Sequence, residues 1–304
     1  MLTVLRQLFV LYTFLALGFF FGRWKKKQTE HTGLLSFLLV NLFLPAKVFG
    51  TFSKNFTVDY IRYNYVTILI SLTLLTLLAL MAYPVSRLLS KKPYERNVYR
   101  YSLAISNYAY MGYVLAEELF GAQGLTDLIL FCIPFAIYTY TFGYAMLTGT
   151  GASLRRLINP MTVAILCGIV VGLSGLSVPS LFSQVLTSAS ACVGPLSMLL
   201  TGMTLSTFAL RELICDKMAY AFSALRLLVL PLCVLGFCAL IGLTGLVPDS
   251  VLPSAVMMAC MPCGLNTIVF PKLVGEDCRI GARLALLTHL FSCLTIPIWL
   301  SVFH

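Results

Sequence analysis

Apolar runs of about 20 residues recur along the whole chain, separated by short polar stretches, and each run is long enough for a membrane-spanning helix. The pattern predicts about ten spans, at roughly 2–22, 33–52, 65–89, 99–120, 127–149, 160–178, 182–206, 219–245, 251–272 and 280–302. The first run resembles a secretory signal. It lacks a small-residue cleavage site, however, and ends on Arg23-Trp24-Lys25-Lys26-Lys27, so it reads as a span with a basic anchor. The predicted class is an all-α integral membrane protein with no soluble domain.

Composition agrees: 59% of the 304 residues are hydrophobic and 11% are charged, where a soluble domain carries about a quarter charged residues. The net charge of +10 would fit a nucleic-acid binder, but its distribution argues against one. Connections after odd-numbered spans hold Arg23 and Lys25–Lys27, then Arg87, Lys91, Lys92, Arg96 and Arg100, then Arg155 and Arg156, then Arg211 and Lys217, then Lys272, Arg279 and Arg283. The other side has Arg6, Lys54 and Arg62, with the acidic Glu117, Glu118, Asp127 and Asp249. This bias is the positive-inside pattern and predicts both termini outside the cytoplasm, in a plasma (inner) membrane. The ten cysteines lie mostly in apolar segments at irregular spacing and form no disulfide framework.

Several features repeat at an offset of about 150 residues. NLFLPA at 41–46 in span two has a partner in VGPLS at 193–197 in span seven, and LFG at 119–121 matches LVG at 273–275. Short amphipathic basic segments, LRRLI at 154–158 and LRELI at 210–214, precede spans six and eight. An odd number of spans per half requires the halves, 1–150 and 151–304, to enter the membrane with opposite topology. Inverted repeats with interrupted helices at matching positions characterise secondary transporters.

The interruption is clearest in MPCGLNT at 261–267: Pro262 removes a backbone donor, and Gly264, Asn266 and Thr267 follow. Such a break survives in a bilayer only against protein or a wet cavity, and the half-helix N-terminus it creates attracts anions. Span four is its mate, ISNYAYMGY at 105–113, with Ser106, Asn107 and Gly112 but no proline. Aligned on Gly121 and Gly275, Tyr108 falls opposite Pro262 and Gly112 opposite Asn266. The competing reading of each break is a helix kinked for packing. Cys260-Met-Pro262-Cys263 has the spelling of a thiol redox centre, but its apolar flanks exclude the exposed thiolate and βαβ setting such a centre needs. No HExxH, GxSxG or paired intramembrane aspartate appears, so the expectation is no enzyme, no metal and no cofactor.

NLFLPAKVF at 41–49, MPCGLNT at 261–267, FPKLVGEDCRIGARLALLTHLFS at 270–292 and TIPIW at 295–299 resemble the auxin efflux carrier family, whose bacterial members include predicted malate and malonate permeases. The resemblance implies two inverted five-helix repeats with broken helices four and nine crossing at mid-membrane, as in sodium/proton antiporters and bile-acid symporters. It implies a scaffold from spans 1, 2, 6 and 7 and a moving transport domain from spans 3–5 and 8–10. The implied function is elevator-like permeation of small organic anions such as carboxylates. Carried over by position, the substrate site comprises Asn107, Tyr108, Gly112, Pro262, Gly264, Asn266 and Thr267, with Asn41, Pro45, Lys47 and Pro195 from spans two and seven. The first crossing lacks the proline of plant members. Partners are the substrate and the bilayer, with a homodimer left open and no nucleic acid. A ligand receptor on the same fold is the rival function.

Two intramembrane cations stand out. Lys47 is placed either to neutralise a carboxylate or to snorkel, and Arg226 is placed to snorkel to the cytoplasmic surface. His289, beside Thr288, reads as a hydrogen-bonded packing residue, and Tyr138, Tyr140 and Tyr144 as either cavity lining or core. No Asp or Glu lies mid-span, which disfavours tight cation coupling.

Overall fold

A computed structural model describes residues 2–24 and 31–303, apart from the side chains of His31 and Glu212. Lys25, Lys26 and Lys27, part of the expected basic anchor, lie outside the described residues. Among the described residues every regular element is helical, and the one strand-like contact is an isolated antiparallel bridge between Ser106 and Cys263.

The helices in chain order are α1 (Leu2–Trp24), α2 (31–55), α3 (Val58–Leu89), α4 (Pro93–Ala104), α5 (108–120) and α6 (122–148). They continue with α7 (Pro160–Ser174), α8 (180–206), α9 (217–242), α10 (Val251–Cys260), α11 (Asn266–Leu273) and α12 (Arg279–Leu300). Among the described residues seven helical stretches are long and apolar enough to cross a membrane, including one of 41 residues, Tyr108–Thr148. That stretch is two helices parted at Gly121, which adopts φ 69° and ψ −166°, a conformation that glycine alone enters freely. Gly275, which ends the stretch after α11, also has positive φ, at 75°.

Local chemistry sets the ends. Thr57 Oγ1 accepts the Tyr60 N–H at 3.1 Å, which starts α3 earlier than its apolar run predicts. Asn159 accepts the Thr162 N–H at 3.0 Å and Gly175 ends α7 in the left-handed region. Asp216 caps α9 through the Met218 N–H at 2.9 Å. Single π-helical turns interrupt four helices, at Leu39–Phe43, Tyr108–Gly112, Thr139–Gly143 and Leu225–Val229. Such turns aim side chains away from the regular helical register and concentrate at functional sites.

Packing sorts the helices. The most extensive contacts join α1 to α8 and α2 to α7. Both seams are glycine-lined: a Cβ on Gly202 would strike the backbone of Leu15, and one on Gly168 would meet Phe52. Small residues let membrane helices approach closely, where dispersion replaces the absent hydrophobic drive. Elsewhere α3 packs on α4 and α9 on α10. Residues 254–265 form an unbroken buried run in the middle of this second group.

Candidate functional site at the helix crossing

The first break follows α4. Ile105 is extended at φ −115° and ψ 127°, Ser106 bridges to Cys263, and Asn107 sits at φ −81° and ψ 41° before α5 begins. The second follows α10. Met261 is extended at φ −70° and ψ 148°, the region favoured by a residue before proline, and α11 opens at Asn266. The two breaks meet back to back. The Asn107 N–H donates to the Pro262 carbonyl at 2.8 Å, and a Cβ on Gly264 would lie 3.3 Å from the Ser106 carbonyl oxygen. The first break therefore forms without a proline, with the Pro262 carbonyl of the second break accepting its Asn107 N–H.

Several backbone groups freed by the breaks find partners within the protein, as a bilayer demands. Thr288 Oγ1 accepts the Cys263 N–H at 3.0 Å, and Thr267 Oγ1 donates to the Gly264 carbonyl at 3.0 Å. Asn107 Nδ2 lies 3.2 Å from His289 Nε2, while His289 Nδ1 lies 2.7 Å from the Ala285 carbonyl. A carbonyl only accepts, so Nδ1 carries the proton and Nε2 accepts from Asn107; the imidazole is neutral in this arrangement. Asn266 Nδ2 donates to the Tyr101 hydroxyl at 3.1 Å.

Two cavities touch this constellation. A small one of about 30 Å³ is lined by Asn107, Tyr108, Gly264 and Asn266 with Leu44 and Tyr140 among its walls. It holds little more than a water. A larger cavity of about 710 Å³ adjoins it and shares Tyr110, Tyr140 and Asn266. Its far wall is α2 and α8, through Asn41 and Thr204, and Lys272 is its only charged lining residue among the described residues. A third cavity of about 250 Å³ lies on the opposite side of the crossing, between α5, α6 and α10, with Asp127 and Asp249 in its lining.

The structure thus brings together Asn107, Tyr108, Pro262, Gly264 and Asn266. Gly112 and Thr267 are buried behind them, with Gly112 against Met261. Asn41 lines the large cavity, its Nδ2 donating to the Phe37 carbonyl at 2.8 Å. Pro45 is buried in α2 beside Leu44, which reaches the small cavity. Pro195 lies half-buried near the start of the second part of α8, away from the lining of either cavity at the crossing. Its neighbour Ser197 donates to the Tyr110 carbonyl at 3.2 Å.

Lys47 is held inside the protein by a partner on another helix. It is 3% exposed and forms an ion pair with Glu117 of α5, so it does not snorkel and lines neither cavity at the crossing. Arg226 does not snorkel either: it is fully buried, and its Nη1 donates to the Ala259 carbonyl at 3.0 Å. In both cases a partner on a neighbouring helix, invisible to a count of residues from the span end, captures the cation. Cys260 and Cys263 are free thiols, fully buried, without the solvent access of a redox pair.

His289, Thr288, Tyr101 and Tyr110 join the constellation without having been singled out for it. Only the run THLFS at 288–292, a polar pair inside an apolar span, signalled two of them.

Comparison with known proteins gives a consistent picture. The family described as "Membrane transport protein" matches residues 3–156 and 149–300. An uncharacterized transporter of Methanocaldococcus jannaschii is 26% identical over 290 residues, covering 90% of each chain. Another, of Methanothermobacter thermautotrophicus, is 26% identical over 201 residues, covering 64% of each.

Proposed function

The chain belongs to the membrane transport protein family, the assignment that the resemblance to auxin efflux carriers anticipates, and on that premise we propose that it is a secondary transporter of small organic anions such as carboxylates. The observation that carries this reading is the crossing of two broken helices, with Asn107 and Asn266 at the gap and a large cavity opening on one side of it. Half-helix N-termini present partial positive charge and unpaired N–H groups, and an amide side chain adds a donor for a carboxylate oxygen.

In this reading the ten spans form two inverted five-helix repeats, 1–150 and 151–304. Four features support it: the paired breaks, the paired positive-φ glycines, and the packing of α1 with α8 and of α2 with α7, which a two-fold exchange of halves interconverts. Helices α1, α2, α7 and α8 are the scaffold, and α3–α6 with α9–α12 are the transport domain. The site residues are Asn107, Tyr108, Gly264 and Asn266, with Asn41 and Tyr140 on the approach. Substrate enters the large cavity and reaches the crossing. The transport domain then slides against the scaffold until the cavity beside Asp249 becomes the exit, an elevator-like alternation. In this reading the large cavity faces the cytoplasm and both termini lie outside, as the positive-inside charge distribution supports.

A thermal-shift screen of the purified protein against dicarboxylates and aromatic acids, with and without Na⁺, tests this reading, because a ligand that binds only the folded state raises Tm. At least one carboxylate is expected to stabilise the wild type but not Asn107→Ala or Asn266→Ala, while both variants insert normally. A carboxylate shift retained in both variants removes the crossing as the site.

A further inference from the structure

Two lysine or arginine side chains are fully buried among the described residues, Lys47 and Arg226. The first is neutralised by Glu117. Among the described residues Arg226 has no Asp or Glu partner, and its Nε and Nη2 have no hydrogen-bond partner. A guanidinium does not lose its proton in a protein, so this site keeps a full, uncompensated positive charge inside the membrane domain. Such a charge is expensive to bury and marks function.

Its position says which function. Arg226 lies in the π-helical turn Leu225–Val229 of α9 and reaches the Ala259 carbonyl, in the last turn of α10 and three residues before Pro262. The carbonyls at the end of α10 carry partial negative charge towards the crossing. Left alone, they would oppose the positive end of α11 and repel an anion held between them. A cation on that helix end cancels the repulsion and leaves the field at the gap positive. Arg226 is absent from the lining of both cavities at the crossing, so it acts without touching what binds there.

We infer that Arg226 is a positioning and specificity-determining residue: it holds the end of α10 in place and gives the crossing its preference for anions. This inference rests on the anion-transporter reading above.

The test uses the full-length protein and measures thermal shifts with succinate and phenylacetate, with the corresponding neutral amides as controls. Wild type is expected to respond to at least one carboxylate and not to its amide. Arg226→Gln keeps a donor for Ala259 and loses the charge; it is expected to bind that carboxylate about tenfold more weakly, roughly 1.4 kcal/mol. Arg226→Lys restores the charge and is expected to stay within about threefold of wild type, a rescue that a purely structural role does not predict. Should Arg226→Gln fail to insert, Ser223→Asp carries the test. It leaves the guanidinium on Ala259 and neutralises it from one turn away on α9, with the same tenfold loss expected. Unchanged carboxylate binding in the neutralised variant overturns the inference alone. So does an Arg226→Lys as weak as Arg226→Gln. A wild type that responds to no carboxylate overturns the anion reading and this inference together.

Discussion

Lys47 and Glu117 form a pair of unequal partners. The lysine is 3% exposed and the carboxylate 45% exposed, so removing one leaves a different problem from removing the other. Glu117→Gln strands a charge in a site with no water, at a cost of about 1–3 kcal/mol. Lys47→Met leaves a carboxylate that water still reaches, and costs less. Thermal unfolding of the purified variants should therefore rank Glu117→Gln below Lys47→Met, with the double variant recovering much of the difference. Equal losses for the two single variants would mean that the pair is effectively solvated. The same contrast of partners explains why His289 belongs to the site. A histidine within an apolar helix has no water to bond, and Asn107 is the donor within reach of its free nitrogen.

Helix contacts depend on where glycine stands. On α8, Gly202 faces the backbone of Leu15 and Gly18 on α1, where a methyl group has no room. Gly202→Ala is expected to destabilise by about 1–3 kcal/mol through forced separation of the seam. Gly236 on α9 has nothing within 4 Å of the position a Cβ would take. Gly236→Ala is expected to be neutral or stabilising by up to about 1 kcal/mol, since alanine favours the helix. Thermal melts of the two variants compare a tight seam with an open face directly. Equal effects would show that helix propensity, not seam geometry, governs both. The broken helices belong to this scale too. Neither α10 nor α11 is long enough to span a bilayer, and each is held by the other break and by Thr288 of α12 rather than by its own length.

For the whole molecule, the crossing separates two cavities, one beside Lys272 and one beside Asp249. Ser36 lines the first and Gln123 the second. In a cysteine-depleted background, a membrane-impermeant maleimide is expected to label Ser36→Cys from the cytoplasmic face and Gln123→Cys from the opposite one. Bound substrate should protect Ser36→Cys. Labelling of both from one face would contradict the assignment of the cavities to opposite sides.

The sequence by itself determined the class, a helical membrane transport protein. Runs of apolar residues demand helices wherever water is absent, and Pro262 followed by Gly264 marks the break between α10 and α11, because proline lacks a donor and the pre-proline residue disfavours the helical region. Pro84, Pro134, Pro271 and Pro297 lie inside helices, so proline alone does not decide a break. The paired glycines at 121 and 275 were legible for the same reason, as the residues that tolerate positive φ. Only the tertiary structure decided the first break, since ISN at 105–107 has no residue that forbids a helix. Its unwinding depends on the carbonyl of Pro262, more than 150 residues away, accepting the Asn107 N–H. The partners of Lys47, Arg226 and His289 were decided the same way. The depth of a charge along its own helix is written in the sequence, but the group that neutralises it sits on another helix, and only packing brings the two together.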